Sequence, residues 1–77
     1  MKVIVYTAEW CPYCHQVKDF LTKNNIKFEA KDIEKVKGAA EESMKKSGQS
    51  GIPVIDIDGN IVLGYDVPTL KKLLHLK

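Results

Sequence analysis

Residues 3–21 read VIVYTAEWCPYCHQVKDFL, and a change of period inside this stretch separates a strand from a helix. Val3, Ile4, Val5 and Tyr6 make a β-rich run too short to be a helix. Past Cys11 the spacing changes: Cys14, Val17, Phe20 and Leu21 recur on one helical face, with His15, Lys18, Asp19 and Thr22 on the other. Strand therefore gives way to helix around Trp10-Cys11-Pro12-Tyr13-Cys14. Pro12 suits the first helical position, where its missing N–H wastes no donor. Cys11 then falls at the helix N-terminus, where unpaired backbone N–H groups and the positive end of the macrodipole favour a thiolate. Cys14 lies one turn further on the same face, so disulfide and dithiol can interconvert with little backbone movement.

Working outward, Asn24 and Asn25 supply a helix stop, and Ile26, Phe28 and Ala30 alternate with Lys27, Glu29 and Lys31 as a second strand. Asp32 can cap a second helix with the stripe Ile33, Val36, Ala40, Ser43 and Met44, with Glu41/Lys45 and Glu42/Lys46 paired one turn apart. Gly48 ends it. Val54 to Asp58 and Ile61 to Leu63 flank the tight turn Asp58-Gly59-Asn60. Asp66 then caps a last helix that turns Val67, Leu70, Leu73 and Leu74 inward. The order β-α-β-α-β-β-α predicts one mixed sheet, since parallel pairing of the first two strands needs the intervening helix and the hairpin is antiparallel.

The whole chain, 77 residues of which 44% are apolar, describes one domain, 1–77. A core of this size leaves only about 3 to 5 kcal/mol of net stability. A Cys11–Cys14 bridge closes too short a loop to add much, so the value of the pair is chemical. The 12 basic residues are all Lys, interleaved with 10 carboxylates to a net +2. No nucleic-acid partner is expected, because no domain-wide field exists and the guanidinium fork is missing. One Lys precedes only four apolar residues at the start, shorter than a signal-peptide core, and no run approaches the roughly 20 residues of a membrane span. The expectation is a cytoplasmic monomer away from membranes, where a thiol pair is catalytic or metal-binding rather than structural.

Three motifs carry a resemblance to the glutaredoxins, within the thioredoxin superfamily. Cys11-Pro12-Tyr13-Cys14 reproduces the family's active-site tetrad, Ser47-Gly48-Gln49-Ser50-Gly51-Ile52-Pro53 resembles its segment ending in Thr-Val-Pro, and Leu63-Gly64-Tyr65-Asp66 resembles its Gly-Gly-x-Asp turn. The resemblance implies an α/β thioredoxin-like fold in its minimal glutaredoxin form, a four-stranded mixed sheet flanked by three helices. It implies a thiol-disulfide oxidoreductase with Cys11 attacking and Cys14 resolving. Substrate would lie against Trp10, Pro12 and Tyr13, pair with the backbone of Ile52 beside a cis Pro53, and end at the N–H groups around Asp66 and Val67. The implied partners are disulfide-containing proteins and a regenerating donor, with no tightly bound cofactor and no metal. Glutathione is the expected co-substrate and thioredoxin reductase the alternative donor, the latter resembling the small redoxins that serve ribonucleotide reductase.

Ala8 stands where many glutaredoxins have Lys, Ser50 where Arg is common, and Glu9 adds a negative charge before Trp10, which looks more like thioredoxin. Gly51 replaces the Thr and Leu63 the first paired Gly. Glutathione is therefore expected to bind weakly. No carboxylate in the first strand offers to take the proton of Cys14. Three other readings use the same residues. Cys11 to His15 satisfies the CxxCH pattern of haem attachment, with Met44 as a second ligand. Cys11, Cys14, His15 and His75 could make a zinc site, though His15 falls on the polar face. A redox-sensing or metal-handling module would use the cysteines without turnover.

Overall fold

The computed structural model describes residues 1–76. Its elements are β1 (Val3–Thr7), α1 (Pro12–Lys23), β2 (Glu29–Asp32), α2 (Ala39–Ser47), β3 (Val54–Ile57), β4 (Asn60–Leu63) and α3 (Val67–Leu73). The sheet order is β2-β1-β3-β4. β1 runs parallel to β2 and antiparallel to β3, and β3 pairs antiparallel with β4. This is the four-stranded mixed sheet with three helices that the element order implies.

Side chains of β1 alternate between two apolar layers, as the pleat requires. Val3 and Val5 join Val17 and Leu21 of α1 and Leu70 of α3 on one face, with Ile55, Ile57 and Val62 from the hairpin. Ile4 and Tyr6 pack with Val54 and with Ala39 of α2 on the other. β1 is buried along its full length, which is why its sequence shows no polar alternation. Each fully buried Val, Leu or Ile here contributes about 1.5 to 3 kcal/mol relative to an exposed one.

The hairpin turns through Asp58 (φ 51°) and Gly59 (φ 91°). Positive φ at both positions gives the type I′ geometry that matches strand twist. Asp56 Oδ1 accepts the Gly59 N–H at 2.7 Å, and Lys2 and Asp58 exchange two bonds, fastening the N-terminus to the turn. Asn24 caps α1, Gly48 closes α2, and Asp66 caps α3 by accepting the Thr69 N–H.

Two expectations need correction. β2 begins only at Glu29, because Ile26 donates its N–H to Leu21 O (2.9 Å) and belongs to the turn that ends α1. Ile26 and Phe28 instead cover the edge of the core. The second helix begins at Ala39 and not after Asp32. The Asp32 carboxylate caps a turn, accepting the N–H groups of Glu34 and Lys35, and Gly38 (φ 83°) breaks the chain before the helix starts. The inward residues of α2 are therefore Ala39 and Ser43, while Val36 and Met44 are exposed. Glu42 and Lys46 pair across elements, with Lys31 (3.1 Å) and Asp56 (2.6 Å), rather than with each other.

Candidate active site

β1 delivers the chain directly to the thiols. After Thr7 and Ala8 a turn closes through Cys11 N–H to Ala8 O at 3.2 Å, and α1 starts at Pro12. Cys11 is the N-cap residue, with extended φ/ψ (−94°, 108°). Its Sγ accepts the backbone N–H of Cys14 at 3.2 Å. A sulfur in that role meets the partial positive charge of the helix terminus, and the bond strengthens when the sulfur is ionised.

Cys11 is 4% exposed and Cys14 not at all. Folding the Cys11 side chain back onto the Cys14 N–H buries it, with Ala8, Ile33 and Ile52 packed around the pair. Both cysteines are free thiols in this structure. Burial pushes the Cys14 thiol up to about 11, and the neighbouring Cys11 sulfur adds to the rise. The Thr7 hydroxyl and the backbone of Ala8 pull in the opposite direction. Thr7 continues the Val3/Val5 face of β1 toward α1, is buried, and has no hydrogen-bond partner for its Oγ1. It lies against Cys14 without completing a bond to the protonated thiol.

The other residues of interest gather at the same end of the sheet. The Ile52–Pro53 peptide is cis, the isomer the resemblance implies. Ile52 packs on the cysteine pair, and Pro53 O accepts the N–H of Gly64 at 3.0 Å, bringing in the turn that leads to Asp66 and Val67. Tyr65 of that turn meets Phe20 of α1 edge-on, centroids 6.3 Å apart. The Asp66 carboxylate is engaged with the N–H and hydroxyl of Thr69. Trp10 and Tyr13 are 63% and 61% exposed, on either side of Cys11 in the chain, and Pro12 is exposed between them.

Sequence reasoning missed Thr7, Ile33 and Lys35. Lys35 forms an ion pair with Glu9, two residues before Cys11. His15 is exposed on the polar face, and its Nε2 bonds to Glu9 O at 2.7 Å. Among the described residues, no group of three or more His, Cys, Asp or Glu side chains converges as a metal site. Open grooves of about 460 and 390 Å³ lie around Lys31 and Glu42 on the α2 side, and neither is lined by a cysteine.

Comparison with known proteins agrees with this geometry. The chain is 37% identical over 71 residues to an uncharacterized glutaredoxin-like 8.6 kDa protein in the rubredoxin operon of Clostridium pasteurianum, covering 92% of this chain and 95% of that one. It is 38% identical over 64 residues to Glutaredoxin 3 of Escherichia coli K12, covering 83% and 77%. The crystal structure of a point mutant of the thioredoxin-like protein BC3987 superposes with a TM-score of 0.92 at 33% identity, covering 99% of this chain and 97% of that one. Residues 3–62 match the family model described as Glutaredoxin, and the chain belongs to the glutaredoxin family.

Proposed function

We propose that this protein is a dithiol thiol-disulfide oxidoreductase in which Cys11 is the nucleophile and Cys14 the resolving thiol. The observation that carries the reading is the Cys11 sulfur at the N-cap of α1, bonded to the Cys14 N–H, with a fully buried second thiol one turn away. The Cys11 thiolate attacks one sulfur of a substrate disulfide. A Cys11–substrate S–S bond forms, the substrate's own S–S bond breaks, and the released thiolate takes up a proton. Cys14 gives up its proton to solvent and, as thiolate, attacks the Cys11 sulfur. The mixed disulfide breaks, the substrate leaves fully reduced, and its two electrons have come from the Cys11/Cys14 pair.

Cys14 holds its proton in the dithiol state, and part of the reason is Cys11 itself. Once Cys11 is bound in a mixed disulfide it carries no charge, so that part of the rise disappears. Resolution is thereby favoured after attack and disfavoured before it. Trp10, Pro12 and Tyr13 offer an exposed wall for a peptide or glutathionyl group, and half-buried Ile52, held by the cis bond to the buried Pro53, offers the other.

The proposed donor is glutathione, acting on disulfide-containing proteins and glutathione mixed disulfides in the cytoplasm, with the enzyme a monomer. A second donor, thioredoxin reductase, is favoured by one observation: the Lys35 ammonium is already engaged by Glu9, two residues before Cys11, which leaves a glutathione carboxylate without that cation. This would suit a hydrogen donor for an enzyme such as ribonucleotide reductase. No helix among the described residues is long and apolar enough to cross a membrane.

The test is turnover of a mixed-disulfide substrate with glutathione and its reductase, and separately with thioredoxin reductase. Catalytic turnover with either donor is expected, with loss of all exchange in Cys11→Ser and accumulation of the mixed disulfide in Cys14→Ser. Retained turnover in Cys11→Ser would overturn the assignment, and absence of turnover with both donors would favour the sensing module.

A further inference from the structure

We infer that the Glu9–Lys35 pair selects disulfide substrates by charge, with Glu9 suppressing those that carry a carboxylate beside the disulfide. The inference rests on the thiol-disulfide reading of the site and names a specificity determinant within it.

Both partners are held by the backbone. Glu9 lies in the turn closed by Cys11 N–H on Ala8 O, and its own carbonyl is bonded to the His15 ring. Lys35 lies in the turn after β2, its N–H directed to both the side chain and the carbonyl of Asp32. Parallel pairing brings the two turns together, because Ile33 N–H donates to Thr7 O at 2.9 Å and the Ile33 side chain packs on the cysteine pair. A residue 26 positions away is thus delivered to the loop that precedes the nucleophile.

The pair is exposed on both sides, 64% for Lys35 and 73% for Glu9. An exposed ion pair is weak, so neither charge is locked away and each still acts on a substrate that approaches. As folded, Glu9 cancels the cation. Asp32, at the foot of the turn, has its Oδ1 engaged with two N–H groups, and Glu34 adds a further negative charge on the same turn. The Lys35 ammonium is held in its charged form by Glu9 first, with smaller help from Asp32 and Glu34. Removing the Glu9 charge frees that cation at the loop that precedes Cys11; removing the Lys35 charge leaves Glu9 unopposed.

The experiment uses the full chain and three small disulfides: oxidised glutathione, with carboxylates; cystamine, with ammonium groups; and bis(2-hydroxyethyl) disulfide, uncharged. Mixed-disulfide formation at Cys11 is followed at low ionic strength, and rates are normalised to the uncharged substrate. A unit charge acting through water over several ångströms changes a rate by about two- to threefold. Glu9→Gln is therefore expected to raise the ratio of oxidised glutathione to cystamine rates by roughly four- to ninefold, and Lys35→Gln to lower it by a similar factor. The double variant returns toward the parent, and added salt shrinks every difference. Single variants that leave the ratio unchanged overturn the selector while leaving the oxidoreductase intact. A parent protein that exchanges with none of the three overturns the functional reading itself.

Discussion

A hydroxyl buried without a partner costs about 1 to 3 kcal/mol, and Thr7 carries one at the end of β1. The same hydroxyl opposes the rise that burial imposes on the Cys14 thiol. It is unpaired against a thiol and suited to donate to a thiolate, so its cost in the resting state is returned when Cys14 ionises. Thr7→Val keeps the shape and removes the donor. The expected result is a dithiol form more stable by about 1 to 2 kcal/mol in urea unfolding, together with several-fold slower release of substrate from the Cys11 mixed disulfide. Resolution at the parental rate would show that Thr7 is a packing residue only. The cysteines were legible from sequence because their geometry is local, one turn of one helix. Thr7 was not, since a Thr in a strand gives no sign of which buried group it will face.

Elements speak to each other across α2 more than within it. Lys46 reaches out of α2 to Asp56 of β3 and lies 5.2 Å from the centre of the Tyr6 ring, and Lys31 of β2 approaches the same ring at 5.9 Å while bonded to Glu42. Burial pushes the Asp56 carboxyl up, yet the Lys46 ammonium and the Gly59 N–H outweigh it and hold the carboxyl below its ordinary range. Lys46 is raised, first by Asp56 and then by Tyr6. A depressed carboxyl stabilises the fold above its unfolded value of about 3.9 and loses that contribution as pH falls through the folded one; a raised Lys contributes up to about pH 10. Asp56→Asn is therefore expected to cost about 1 to 3 kcal/mol at neutral pH, with the deficit narrowing below about pH 4. Urea midpoints at pH 7 and pH 3 check this, and an equal deficit at both would mean that the charge is not involved. The same region shows why the helix start was misplaced: Asp32 and Gly38 are both helix-boundary residues, and Ile33 and Val36 mimic a helical stripe. What decides is that Asp32 finds its N–H partners in the turn itself.

At the scale of the molecule, element order and the nature of the sheet were legible because α1 and α3 show an apolar stripe, β1 and β3 are short apolar runs, and capping or turn residues lie between them. The assembly of Ile33, Ile52 and Lys35 around the thiols was not, because it depends on pairings that join distant parts of the chain. β1 sits second in the sheet, with β2 on one side and β3 on the other. The walls of the active end are therefore made late: Ile52 and β3 follow Cys14 by about 40 residues. At roughly 5 to 20 residues per second, a growing chain carries its two thiols for about 2 to 8 seconds before that flank exists. Ribosome-bound chains arrested before Ile52 should react at Cys11 and Cys14 at similar rates with a small alkylating agent, whereas the complete chain shields Cys14. Strong shielding of Cys14 in the arrested chain would show that β1, α1 and β2 suffice. In the vectorial order of synthesis, the N-cap geometry proposed to make Cys11 the attacking sulfur arrives with α1, and the burial proposed to reserve Cys14 for resolution is completed only when the second half of the chain supplies Ile52.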